Sequence, residues 1–263
     1  MNQGKTRRMK RIMNEDHHTV IVPMDHGVTI GPIKGIENMH TIVQQLVNGG
    51  ADAILVHKGI AKHVDTKDSG LVIQLSASSN LSSNPNTKVQ VCTVREAIRL
   101  GADAVSVHIN VGAQDEDKML QTLGKVANEC DIYGIPLLAM MYPRGPKIQD
   151  EHAVDVVAHA ARIGAELGAD IIKANYTGNM ETFRKVVESC PVPVVIAGGP
   201  KSKTAKEILQ TAYESHKAGS AGLSIGRNVF QHENPTLMVK ALCAIIHRDA
   251  SVEQALRILG ESH

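Results

Sequence analysis

The apolar positions along the chain come in short runs set between longer stretches of helical periodicity. A phrase recurs where one gives way to the other: NGGADAILVHK (48–58), RLGADAVSVHI (99–109), ELGADIIKANY (166–176) and, more loosely, KAGSAGLSIGR (217–227). Each reads as a helix end, a glycine suited to the left-handed C′ position, and then an apolar strand. Four further runs read as strands: TVIVPMD (19–25), LVIQLSA (71–77), IPLLAMMY (135–142) and PVPVVIAGG (191–199). The strands therefore start near 19, 53, 71, 104, 135, 171, 193 and 222. Amphipathic helices separate most of them, such as 151–168 and 204–219. The gap between the second and third strands is too short for a good helix. The polar stretch SASSNLSSNPNT (76–87) reads as a loop.

Helices feeding apolar strands again and again are the mark of βαβ units and a parallel sheet. Eight strands in 263 residues with no linker predict one α/β domain over 1–263, a (β/α)8 TIM barrel with a short N-terminal helical extension. An open doubly wound sheet is the runner-up, since it would leave strands unused. The basic start MNQGKTRRMKRIM reads as a solvated helix that closes the barrel floor or meets another subunit. It lacks the apolar segment of a secretory signal.

Composition narrows the function. A formal net charge of +1 provides no field for nucleic acid or membrane. Aromatic residues at 2%, with no Trp, argue against base-stacking platforms. No apolar run reaches the ~20 residues of a membrane span. Cys92, Cys130, Cys190 and Cys243 are scattered without a CxxC pair, as in a reduced, cytoplasmic chain.

In such a barrel the chemistry sits at the C-terminal ends of the strands. Alternation puts Ile171, Lys173 and Asn175 on one face, as it does Leu138, Met140 and Tyr142, and Ile21, Pro23 and Asp25. A lysine inside an apolar parallel strand loses solvation, so its pKa falls and its neutral amine becomes a nucleophile toward carbonyls. Spacing alone leaves a second reading equally open, a structural pair between Lys173 and a carboxylate such as Asp25. Lys58 and Lys201 are rival nucleophiles. Lys58 reads as a rim charge, and Lys201 as solvated or phosphate-facing. AGGPK (197–201) and SIGRN (224–228) follow strands seven and eight, where this fold usually cradles phosphate, with Arg227 adding a charged fork. The competing reading is plain turn glycines with a surface arginine. His26, His57 and His108 sit at strand ends, but no HxH or HxxxH spacing supports a metal. Asp249 and Glu253 read as solvated helix-face acids.

PMDHG (23–27), MYPRG (141–145), the Lys173 strand with YTG (176–178), AGGPK and GRNVFQ (226–231) resemble the archaeal-type class I aldolases. The likeness runs from about residue 11 to 258. The resemblance implies a Schiff-base lysine at Lys173, an acid/base tyrosine at Tyr142 and a carboxylate base at Asp25. It implies phosphate held by Gly198, Gly199, Gly226 and Arg227. Substrate contacts would come from His26, Gly27, Val28 and Thr29, and from Pro143 and Arg144. No cofactor or metal is implied. The SSNLSSNPN stretch, ADAVSVHINVG (102–112) and LLAMMYPRG (137–145) resemble a synthase branch of the family. That branch moves a hydroxyacetone unit from a phosphorylated ketose donor, 6-deoxy-5-ketofructose 1-phosphate, to a small aldehyde acceptor, L-aspartate 4-semialdehyde, in aromatic amino-acid biosynthesis. Fructose-bisphosphate aldolases of the family often carry a tryptophan near the tyrosine. Here Met140 and Met141 stand there instead, a departure that favours the synthase branch. The family also includes thiolases and aminobenzoate-forming enzymes, and a non-catalytic phosphosugar-binding barrel is the reading outside enzymes. A ring-type homo-oligomer, such as a decamer, is a further expectation of the resemblance.

Overall fold

The recurring phrase owes its form to two residues. Gly50, Gly101, Gly168 and Gly219 all take positive φ, at 90°, 84°, 98° and 96°, and so turn the chain out of a helix toward a strand. In the first three copies the aspartate two residues later then serves a neighbouring strand. Asp52 accepts the Val20 amide at 2.6 Å, Asp103 that of Leu71 at 2.9 Å, and Asp170 that of Leu137 at 2.8 Å. These are backbone donors at strand starts that the ladder alone leaves without a partner.

The computed structural model describes residues 2–199, 202 and 204–261. Its strands are β1 (Thr19–Pro23), β2 (Ala53–His57), β3 (Gly70–Gln74), β4 (Ser76–Ala77), β5 (Val89–Gln90), β6 (Ala104–Val111), β7 (Leu137–Pro143), β8 (Ile171–Ala174), β9 (Val194–Ala197) and β10 (Gly222–Ser224). Eight of them close a parallel barrel in the order β1-β10-β9-β8-β7-β6-β3-β2. All eight expected strands are present in it. Between β2 and β3 only the short helix Lys58–Ala61 forms, as that gap requires. The expected strand 71–77 ends sooner. After Gln74 the chain leaves the barrel, and Ser76–Ala77 pairs antiparallel with Val89–Gln90, so the polar stretch read as a loop is a small hairpin excursion.

Strand alternation sorts the core into two parts. Ile21, Leu55, Val72, Leu138, Ile171 and Val195 fill the barrel, whereas their neighbours in sequence pack outward under the helices. The N-terminal helix Gln3–Ile12 lies beneath the barrel, capped by Asn2, whose side chain accepts the Lys5 amide. Ile12 and Met13 join the inner cluster from below. Lys5, buried, pairs with Asp170 at 2.8 Å and Asp131 at 2.6 Å, and Arg11 pairs with Asp103 at 2.6 Å. The segment closes the barrel floor, one of the two placements open for it. Among the described residues no helix is long and apolar enough to cross a membrane.

Candidate active site

At the other end of the barrel the strand ends surround a cavity of about 220 Å³. Asp25, His26, Thr29, Tyr142, Arg144, Lys173, Gly198, Gly199, Gly226 and Arg227 line it, as do Lys88, His108, Asn175 and Ser224. Three expected residues do not: Gly27, Val28 and Pro143. Val28 is 46% exposed on the short helix His26–Ile30, and Pro143 follows Tyr142, so alternation turns it off the inner face.

Lys173 stands level with Met140 of β7 and Val195 of β9 in the ladder, on the inner face, and is only 6% exposed. Burial pushes its ammonium down to about 8; the Asp25 carboxylate opposes that shift, and Arg227 and Arg144 add to it. No carboxylate lies within salt-bridge range of Lys173 among the described residues. The purely structural pair left open by spacing is therefore absent there. Tyr142 closes the inner face of β7. Burial holds its phenol well above the ordinary range, with Arg144 opposing and Asp25 and Glu151 adding. The ring meets His108 edge-on at 4.9 Å and carries the Arg144 guanidinium over its face, also at 4.9 Å. Arg144 in turn pairs with Glu151 at 2.9 Å.

Burial disfavours the charged form of the three strand-end histidines. Burial sets His108 well below its usual range, and its Nε2 lies 2.9 Å from Asn110 Oδ1. Burial also lowers His26 and His57, with the Asp25 charge opposing in both. His57 does not line the cavity, and among the described residues no three His, Cys, Asp or Glu side chains converge as metal ligands would.

The glycine loops after β9 and β10 are knit together. Arg227 donates to the Gly199 carbonyl at 2.9 Å, and Asn228 to that of Gly198 at 2.9 Å. At Gly226 a Cβ would stand 2.6 Å from the Pro23 carbonyl oxygen and 2.7 Å from the His26 ring, so only glycine fits. Gly199 takes φ +61°. This loop pair exposes backbone amides beside a guanidinium, a chemistry suited to phosphate. Of the rival lysines, Lys58 is tied to Glu96 at 3.1 Å outside the cavity, and Lys201 lies outside the described residues.

Two polar lining residues were given no role in the sequence reading. Ser224 ends β10 on the inner face with its Oγ buried and without a hydrogen-bond partner among the described residues. Its parity with Gly222 was available as a signal. Lys88 stands just before β5, one residue past the stretch read as a loop, where no periodicity could place it.

A buried amine of lowered pKa, a phenol, a carboxylate and an anion cradle sharing one cavity can form an imine with a ketone and move protons around it. Comparison with known proteins points to the same chemistry. Residues 19–232 match the family model described as DeoC/LacD family aldolase. The chain is 45% identical over 260 residues to 2-amino-3,7-dideoxy-D-threo-hept-6-ulosonate synthase 1 of Archaeoglobus fulgidus, covering 98% of this chain and 96% of the relative. It is 39% identical over 252 residues to 2-amino-4,5-dihydroxy-6-oxo-7-(phosphonooxy)heptanoate synthase of Streptomyces griseus, covering 94% and 92%. Among solved structures, an archaeal fructose-1,6-bisphosphate aldolase with its catalytic lysine covalently bound to the carbinolamine intermediate superposes with a TM-score of 0.87 at 33% identity, covering 92% of this chain and 99% of that one.

Proposed function

Because the chain belongs to the DeoC/LacD family of aldolases, we propose that it is a Schiff-base transaldolase of the 2-amino-3,7-dideoxy-D-threo-hept-6-ulosonate synthase type. The donor is 6-deoxy-5-ketofructose 1-phosphate and the acceptor is L-aspartate 4-semialdehyde. The reading rests above all on Lys173, a desolvated amine held near a pKa of about 8 at the inner end of β8. The 45% identity to a synthase of that name over nearly the whole chain supports the choice of substrates. As an enzyme of amino-acid biosynthesis it would work in the cytoplasm.

In the proposed reaction neutral Lys173 adds to the methyl-ketone carbon of the donor. Tyr142, kept protonated by burial, gives its proton to the departing carbinolamine oxygen, which leaves as water. The resulting iminium draws in the electron pair of the bond between carbons three and four. As that bond breaks, Asp25 takes the proton of the carbon-three hydroxyl, which becomes an aldehyde. Hydroxypyruvaldehyde phosphate departs, and a hydroxyacetone enamine stays on Lys173. The enamine carbon then attacks the aldehyde of the acceptor. The new alkoxide is protonated, and water releases the seven-carbon amino acid from Lys173. The amides of Gly198, Gly199 and Gly226 with Arg227 hold the donor phosphate.

A fructose-bisphosphate aldolase is the second reading, favoured by the 33% identity and 0.87 TM-score to a solved enzyme of that kind. One experiment separates them: side-by-side turnover with both substrate sets, with borohydride added in parallel. The expected result is a seven-carbon product formed faster than bisphosphate is cleaved, and an adduct mapping to Lys173. Efficient bisphosphate cleavage without that product would move the chain to the second reading. An adduct at Lys58 or Lys201 would overturn the lysine assignment, and a wild-type enzyme with no adduct and no turnover would leave a phosphosugar-binding barrel.

A further inference from the structure

The cavity has two cationic sides, and the proposed function uses only one of them. Arg227 and the glycine loops follow β9 and β10. Lys88 comes from the hairpin excursion that follows β3 and returns before β6. In the closed ring β3 stands four strands from β9, and β6 stands four strands from β10. The excursion therefore rises across the mouth from the phosphate cradle. It is pinned there on several sides: Asn80 donates its amide to Thr29 O at 2.9 Å, Thr87 donates to Asp115 at 2.7 Å, and Asn110 of β6 donates to Asn86 O at 2.7 Å.

Lys88 spends its hydrogen bonds on neutral acceptors, the Ser78 hydroxyl and, at 3.2 Å, the Pro85 carbonyl. No carboxylate pairs with it among the described residues. The charged groups acting on its half-buried amine are the Arg144 cation and the Asp25 carboxylate, while neutral His108 stands close enough to feel the Lys88 charge. Burial and Arg144 together push the amine down to about 8. A half-buried cation placed beside a second cation, without its own anion, is costly. A residue that only anchored the hairpin would need no charge to reach a hydroxyl and a carbonyl. Arg144 is partly committed to Glu151, so Lys88 is the less engaged of the two.

We propose that Lys88, together with Arg144, forms a second anion subsite that binds the carboxylate of the aldehyde acceptor. This rests on the transaldolase reading above and names the residue that selects its acceptor. The subsite chemistry fits a carboxylate better than a phosphate. A point-charge ammonium and one guanidinium edge suit a planar two-oxygen anion, whereas the nest of amides around Gly198, Gly199 and Gly226 suits a tetrahedral one. The acceptor carboxylate lies three bonds from its aldehyde carbon, so it extends from Lys173 toward the wall while the aldehyde meets the enamine.

The test compares Lys88→Met and Lys88→Arg with wild type in two ways. In direct binding, followed by ligand-observed NMR, the probes are 4-hydroxybutyrate and butan-1-ol, which differ in the carboxylate. Lys88→Met should weaken 4-hydroxybutyrate tenfold or more and move butan-1-ol by less than about threefold, and Lys88→Arg should restore most of the loss. In turnover, the KM for succinic semialdehyde should rise about ten- to hundredfold in Lys88→Met, as loss of a charge-assisted hydrogen bond predicts, while that for butanal changes far less. Ser78→Ala, which loosens the hairpin anchor but keeps the charge, should leave the ratio of the two KM values near wild type. Equal losses for charged and uncharged probes would overturn the subsite and make Lys88 a hairpin anchor. So would a rise in acceptor KM in Arg227→Ala that is absent in Lys88→Met, since the acceptor would then share the phosphate cradle. The binding arm needs no catalysis. Failure to trap an adduct at Lys173 would sink the transaldolase reading while the carboxylate measurement still decided the subsite.

Discussion

At the scale of the residue, the reactivity of Lys173 is set by what surrounds it. With its pKa lowered to about 8, roughly a tenth of the amine is neutral at pH 7; at the ordinary value the fraction is below about one in a thousand. The neutral form is the nucleophile, so the rate of borohydride trapping should rise with pH and level off above about 8. The neighbouring charges fix the sign of two further shifts. Asp25 raises the lysine pKa, so Asp25→Asn should move the limb to lower pH; Arg144 lowers it, so Arg144→Ala should move the limb to higher pH. Trapping rates across pH for the three proteins check both, and shifts in the same direction would contradict the arrangement of charge. Tyr142→Phe keeps the ring packed against His108 and beneath Arg144, so melting should hardly change while turnover falls by roughly 10²-fold or more. Unimpaired turnover would take Tyr142 out of the mechanism. Lys173 and Tyr142 were legible in the sequence because strand alternation carries each to the inner face, and Asp25 because it follows the end of β1 by only two residues. Lys88 was not, because a hairpin built from turn residues has no period to read and its placement depends on contacts with Thr29, Asn110 and Asp115 far along the chain.

At the scale of the element, the glycine turns and the carboxylates beneath them divide the work. In Gly226→Ala the added carbon has no room beside the Pro23 carbonyl, so the turn after β10 must shift and carry Arg227 with it. The expected effect is a loss of affinity for phosphorylated donors larger than that for unphosphorylated analogues, seen as a KM ratio; Arg227→Ala should show the same selectivity. The helix-ending glycines were evident from sequence, since left-handed backbone is a local demand. The work of the aspartates that follow them was not evident there, because their partners are amides of other strands. Asp170 serves both the Leu137 amide and buried Lys5, whereas Asp131 meets the same lysine from an exposed position. Asp170→Ala should therefore cost ~2–3 kcal/mol, since it leaves the Leu137 amide without its acceptor and Lys5 with only its exposed partner, and Asp131→Ala under about 1 kcal/mol. Equal losses in chemical denaturation would mean that the Leu137 amide and the depth of the pair count for little.

At the scale of the whole molecule, the barrel separates its two tasks by height. Carboxylates tie the strands together at the floor, and the reacting groups stand at the mouth, with apolar layers between. Substrate choice belongs to the mouth, and the seven-carbon product assay tests it there. The strand count was readable because the strands repeat; the route of the hairpin over the cavity was not, since it happens once. The floor has a consequence of another kind. Residues 3–12 leave the ribosome before their partners: Lys5, Arg8 and Arg11 bind Asp170, the Gly134 carbonyl and Asp103, between 92 and 165 positions further along. The helix they belong to meets β1 and β3 early, but its last ion pair waits until residue 170 has been made. It therefore completes its contacts with the barrel well after it has itself been made. Until then its apolar side, with Met9, Ile12 and Met13, is in reach of whatever guards nascent chains in the cell.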